Sequence, residues 1–501
     1  MAERFLLSPL LIASFVAVLV AGELASGTSP YFVTMMAIAV FSACVTYNIL
    51  GGLGRIAGFG FIAFALGTLI ISQVGKVVLF EPADQNLDVP QLTITVYAVF
   101  YFSLMLGTFT FSRIRLPLPK PAEPETAAQS RYLYVISLVG GAIGALWIVA
   151  LYLAGPEAAS SPGHGLALGL SLLLPFSLIV AVDGRIRATD GRHSLGWAAL
   201  WPILTLMFTG FVTARRAEFV ESFLAVFITC YVRKYKFRKK HFAAAAGFAV
   251  VFFFFVSPFY LYSRAFGGDP TIRLQVATML RVLEEAPSQW ATIRRTVGEE
   301  ALGSPGAVNY FDSPGAVTLN RFALIGPDST LINACSSGFH YGFTALRMDL
   351  LSQVPHILYP NKPTTDSHKY LGHLDGQESD AFETTNSTIT PVSDSFGAFG
   401  WISVVMYPLL VIPAIFVIYE SMFDLSRPWG TVATVSLLGG ISGGSMGIQL
   451  TGTMIKGPIS ILIISWCTAW FVRMIPTGGD RSKVKGIDGF SVPARGIVKP
   501  L

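Results

Sequence analysis

The chain has 501 residues, of which 52% are hydrophobic and 13% charged, about half the charged share of roughly 25% found in soluble domains. Its mean hydropathy of +0.59 excludes a water-soluble globule, because several apolar stretches of about 20 residues exceed what one core can hold. The net charge of +5 does not point to a nucleic-acid partner: most Lys and Arg sit in short links between apolar runs, where membrane orientation requires them. The expected fold is all-α and polytopic, with the lipid bilayer as a partner.

Apolar runs of spanning length fall near residues 5–22, 31–50, 58–80, 92–112, 132–154, 165–182, 197–213, 217–232, 242–263, 396–419, 431–449 and 457–474, which predicts twelve transmembrane helices. The first follows Met-Ala-Glu-Arg and outruns the roughly 7–15 residues of a signal-peptide core, so a retained helix is expected. The chain then divides into nine helices over 1–263, an outer loop domain over 264–395, three helices over 396–474 and a tail over 475–501. Cys44, Cys230 and Cys467 lie in apolar runs and Cys335 in a polar region, a scatter that suits neither a disulfide framework nor a thiolate metal site.

With a cytoplasmic N-terminus, one side of the membrane collects 22 Lys and Arg, including the RKYKFRKK cluster at 233–240, whereas the links at 23–30, 81–91 and 155–164 hold none. Both termini are therefore expected in the cytoplasm. Lys76, Arg215, Arg216 and Lys456 are the cations left on the outer side, where orientation does not explain them. Arg215 and Glu218 are spaced to pair on one helical face, so local neutralisation competes with ligand binding.

The loop at 264–395 carries nine Lys and Arg against fourteen Asp and Glu, and is far longer than an ordinary connection. One amphipathic helix is expected from Ile272 to Leu283, stopped by Pro287. A second is expected from Gly338 to Val354, with Phe339, Phe343, Leu346, Leu350 and Val354 along one stripe and His340, Thr344 and Arg347 along another. That pattern also suits a plain interfacial helix. His356, His368 and His373 with Asp366 and Asp375 lack the tight spacing of a metal site, so no metal or other cofactor is expected. Neither a Walker lysine loop nor a GxSxG elbow is present, and SGGSMG at 442–447 lies in an apolar run where small residues serve close packing.

The stretches TARRAEFVESFLAVFITCYVRKYKFRKK, VPHILYPNKP and SDSFGAFGWISVVMYP, with about a dozen spans and one large late outer loop, resemble the bacterial polysaccharide repeat-unit polymerases, the O-antigen polymerase (Wzy-type) family. The resemblance implies a glycosyltransferase C-type membrane fold in the bacterial inner membrane and a metal-independent transfer between undecaprenyl-pyrophosphate-linked oligosaccharides, with a chain-length regulator as a possible partner. On that reading Arg215, Arg216, Arg264, Lys76 and Lys456 hold pyrophosphate or sugar. His340 is the first choice of base, with Asp394 and the substrate-binding candidate His356 as competitors, and Arg347, two turns along the same helical face as His340, is the further catalytic candidate. An O-antigen ligase shares architecture and donor. A transporter or flippase fits twelve spans but not the single large loop or the absence of an internal repeat.

Overall fold

The computed structural model describes residues 5–85, 87–123, 127–154, 162–212, 216–251, 324–354, 359, 370–371, 389–442 and 445–474. Among them the chain is helical, with no strand. In chain order the helices are α1 (Pro9–Ala25), α2 (Pro30–Ile49), α3 (Ile56–Leu79), α4 (Pro90–Phe111), α5 (Ala127–Ala154), α6 (Pro162–Ser171), α7 (Leu173–Ala188) and α8 (Trp197–Val212). They continue as α9 (Arg216–Val232), α10 (Lys239–Val251), α11 (Ile325–Ser336), α12 (Thr344–Gln353), α13 (Pro391–Phe399), α14 (Trp401–Met422), α15 (Pro428–Ser442) and α16 (Met446–Arg473). Among the described residues seven stretches, at α2 to α5, α7, α14 and α16, are long and apolar enough to cross a membrane. The chain is therefore a polytopic membrane protein.

Local chemistry sets the helix starts. Proline opens α1, α2, α4 and α13, where its missing N–H costs nothing and its fixed φ favours the first turn. Within the spans, Thr46 and Thr108 return their hydroxyls to the carbonyls of Ser42 and Leu104 at 2.7 and 2.9 Å, so these polar side chains are satisfied inside their own helices. Gly107 of α4 lies against the Leu409 carbonyl of α14, an approach any Cβ would block. Large side chains such as Phe41, Phe109, Ile143, Leu146, Ile402, Ile463 and Trp466 are exposed, as a lipid-facing surface requires.

The two ends of the bundle differ in charge. Arg55, Arg115, Arg187, Arg233 and Arg427 lie at one, the basic end, among Glu123, Asp183, Glu420 and Asp424, while Glu23, Asp84, Asp328, Asp349 and Asp394 lie at the other, the acidic end, with Lys76. At the basic end Arg233 pairs with Asp183, which also holds Arg187 at 3.0 Å, and Arg115 lies 3.6 Å from Glu420. The link after α4 runs across this end. Leu116 N–H donates to Ser421 Oγ at 3.0 Å, Ala122 N–H to Ser465 Oγ at 3.3 Å, and the Trp429 indole to the Ala122 carbonyl at 3.1 Å.

That link buries Glu123, one of whose oxygens has no hydrogen-bond partner. Burial pushes its carboxyl up to about 7, against the attraction of Arg427 and Arg233 and with the repulsion of Asp424. Because the folded state holds the proton more tightly than the unfolded chain, this stabilisation is complete below the ordinary value of 4.5 and is lost as pH rises through about 7. Glu123→Gln is therefore expected to gain about 2 kcal/mol relative to wild type between pH 5 and pH 8. Thermal unfolding in detergent at the two pH values measures it, and a difference independent of pH would contradict the burial argument.

Three expectations about elements are corrected. No break falls at 450–456, where one is expected: α15 ends at Ser442, Ser445 caps α16, and α16 runs from Met446 through those residues. Lys456 consequently lies within the last span rather than in an outer loop, in a π-helical stretch, Gln449–Lys456. The helix expected from Gly338 begins at Thr344, since Tyr341 and Gly342 donate their N–H groups to the carbonyls of Gly397 and Ala398 at 3.1 and 2.9 Å instead of starting a turn. The boundary at 395/396 falls inside α13. The helix expected from Ile272 to Leu283 lies outside the described residues.

Candidate functional site at the acidic end

Helices α11, α12 and α13 all come from the long polar loop or its edge, and all pack onto the acidic end of the bundle. Three buried aspartates hold them there. Asp328, in the first turn of α11, is 0% exposed and accepts hydrogen bonds from Tyr97 Oη of α4, from Ser393 Oγ at 2.6 Å, and from both the Thr390 hydroxyl and its N–H, the latter at 3.0 Å. Burial pushes the Asp328 carboxyl up, while the donors from Ser393, Thr390 and Tyr97 act the other way. The adjacent Ser329 Oγ accepts from Thr93 Oγ1 at 3.0 Å and Val89 N–H at 3.2 Å, which fixes α11 to the start of α4.

Asp349 of α12 and Asp394 of α13, each 1% exposed, converge on the N-terminus of α16. Met446 N–H donates to Asp394 Oδ2 at 2.5 Å, and Ser445 Oγ donates to Asp349 Oδ2 at 2.8 Å. The first amides of a helix lack internal acceptors and carry its positive dipole end, so carboxylates are held there. Tyr341 Oη donates to Asp394 Oδ1 at 2.5 Å. Gly447 lies so close to the Asp349 carboxylate that no side chain fits, which gives the SGGSMG stretch both a packing and a capping reason.

These anchors set the surface above them. His340 is exposed, with its ring edge-on to Phe396 at 5.9 Å. It rests on Gly400, whose φ of +60° and ψ of −140° form the turn between α13 and α14. A Cβ at that glycine would meet His340 Nε2 at 3.0 Å, so glycine is needed both for the turn and for the seat of the imidazole. Phe339, Phe343, Phe399 and Trp401 form an exposed rim around it, Phe343 and Phe399 being 4.6 Å apart edge to face. Such a rim suits the bilayer interface. Arg347 is exposed on α12. On α12 the apolar stripe is partly open, with Phe343 and Leu350 exposed, while Ala345 and Asp349 are buried.

The structure thus brings His340 and Asp394 to one place and puts Arg347 on the adjoining helix. Asp394 has both oxygens engaged, which makes it an anchor rather than an open base. Lys76 belongs to a different group: its Nζ lies 2.7 Å from Glu81 Oε2, with Glu23 and Asp84 near by, so it is a partnered cation. Lys456 lies in α16, away from any outer loop. Arg216 is the first residue of α9, and its side chain lies outside the described residues, as do Arg215, Arg264 and His356 altogether. The residues that sequence reasoning missed are Asp328, Asp349, Tyr97 and Tyr341. The available signal was a single acid within a mostly apolar stretch, as in LIGPDSTLIN and TALRMDLLSQ.

Among the described residues no three His, Cys, Asp or Glu gather closely enough to hold a metal ion. No family model, no curated protein and no solved structure matches the chain.

Proposed function

We propose that the chain is a membrane glycosyltransferase that joins undecaprenyl-pyrophosphate-linked oligosaccharide repeat units into O-antigen or exopolysaccharide at the periplasmic face of the bacterial inner membrane. This reading includes twelve crossings, a glycosyltransferase C-type fold and cytoplasmic termini. The observation that carries it is His340, an exposed imidazole on an aromatic rim at the end of the bundle to which the long polar loop returns. Two lipid-linked substrates meet at headgroup depth, so a base for their reaction must be accessible from both bilayer and water.

In the proposed step, the acceptor hydroxyl oxygen attacks the anomeric carbon of the donor sugar and its proton passes to His340. The bond from that carbon to the pyrophosphate oxygen breaks, and the pyrophosphate leaves with the electron pair. Charge grows on the leaving group, so the guanidinium groups of Arg215, Arg216 and Arg264 would stabilise the transition state more than the bound donor. Arg347 is suited to a sugar hydroxyl or phosphate near His340. Asp394 and Asp349 serve by fixing the platform. Lys76, already paired with Glu81, is the weaker phosphate ligand.

The test is purified protein in vesicles supplied with lipid-pyrophosphate-linked oligosaccharide. Release of undecaprenyl pyrophosphate with a longer lipid-linked glycan supports the reading, and Arg216→Ala is expected to lower the rate about 100-fold. No release would overturn it. A ligase would release the same leaving group but extend a different acceptor. A transporter or flippase is favoured by one observation: Lys456 lies in a π-helical stretch of a span, and such stretches and intramembrane charges both mark functional sites. Movement of the lipid-linked unit without bond breakage would establish that alternative.

A further inference from the structure

The turn between α9 and α10, at the basic end, is more than a run of positive charge. Its first residue, Arg233, turns inward to Asp183. The rest are displayed by a built scaffold. Tyr235 is buried, its N–H donates to the Cys230 carbonyl at 2.8 Å, and its hydroxyl lies 3.2 Å from His241 Nε2. His241 Nδ1 accepts the Arg238 N–H at 2.9 Å, which closes the turn. Lys234, Lys236, Arg238 and Lys239 are exposed around this core.

Apolar rings accompany the cations. Phe237 packs edge-on to Tyr235 at 5.4 Å and lies 5.9 Å from Phe242, and both phenylalanines are exposed. The link before α8 joins the same surface through a hydrogen bond between Ser194 and Cys230. It adds exposed Arg192 and His193, and Trp197, the first residue of α8, is 82% exposed. Asp183 is already engaged by Arg187 and Arg233, so Asp190 is the acid exposed on this link. Water alone would solvate the cations but would not favour bare phenyl and indole groups beside them.

We infer that this surface is a binding site for anionic phospholipid, with the cations on the phosphodiester headgroup and Phe237, Phe242 and Trp197 against the glycerol and upper acyl region. Clustered Lys and Arg next to a span bind anionic headgroups, and interfacial aromatics set their depth. The inference is independent of the glycan chemistry at the other end.

The test is native mass spectrometry of the detergent-solubilised full chain with phosphatidylglycerol, phosphatidylcholine or inorganic phosphate. Wild type is expected to retain phosphatidylglycerol over phosphatidylcholine, with the preference falling as salt rises. Replacing Lys234, Lys236, Arg238 and Lys239 by Gln is expected to weaken retention roughly tenfold or more. The variant Lys234→Arg/Lys236→Arg/Lys239→Arg, which keeps the charge, is expected to behave as wild type. The inference is overturned if wild type shows no headgroup preference, if the Gln variant retains the lipid unchanged, or if inorganic phosphate competes the lipid away. Should the Gln variant fail to insert, the headgroup preference and salt dependence of wild type decide alone.

Discussion

Asp328→Ala is expected to destabilise the protein by about 4–6 kcal/mol, the largest effect of any single substitution considered. Four donors, from Tyr97, Ser393 and the hydroxyl and N–H of Thr390, lose their common acceptor in a fully buried place. Each unsatisfied buried donor costs about 1–3 kcal/mol, and the hydroxyls recover part of that by turning to other acceptors. Asp328→Asn keeps one carbonyl oxygen and is expected to cost about half as much. Unfolding of the purified variants in detergent, with the amount of protein in the membrane as a second readout, measures the effect. A loss below about 1 kcal/mol would mean that α11 is not held to α4 and α13 by this carboxylate.

The second large effect is catalytic. His340→Ala is expected to lower the rate of glycan transfer about 1,000-fold, within the range that removal of a general base produces. Stability is expected to change by less than about 0.5 kcal/mol, because the side chain is exposed. Asp394→Ala is expected to differ, losing stability and activity together, since Tyr341 and the first amide of α16 both lose their acceptor. A His340→Ala protein with unchanged rate would remove the imidazole from the mechanism.

Much of the helical architecture was legible from hydropathy alone, because spanning runs must be apolar along about 20 residues whatever their neighbours. The runs at 31–50, 92–112 and 396–419 correspond to α2, α4 and the pair α13–α14. What failed was decided by contacts rather than periodicity. A polar stretch around 450–456 looked like a turn, yet Gln449 accepts from Tyr407 Oη at 2.7 Å and donates to the Ile441 carbonyl at 2.7 Å, so those residues stay helical within the bundle. Asp394 was singled out for its position, but the role the fold gives it depends on Tyr341 and Met446, which are 53 and 52 residues away in the chain. The apolar stripe of α12 was legible while its direction was not, since in a membrane protein the apolar side also faces lipid.

Polymerisation of lipid-linked repeat units at the acidic end, with His340 as base, is our proposal, and electrophoresis of lipid-linked and surface glycans from a deletion strain carrying wild type, His340→Ala or an empty vector decides it. The expected result is a ladder of many repeat units with wild type, and single repeat units with both His340→Ala and the vector. Long chains retained on undecaprenyl pyrophosphate in the deletion strain, or glycans that do not change with any of the three, would contradict it.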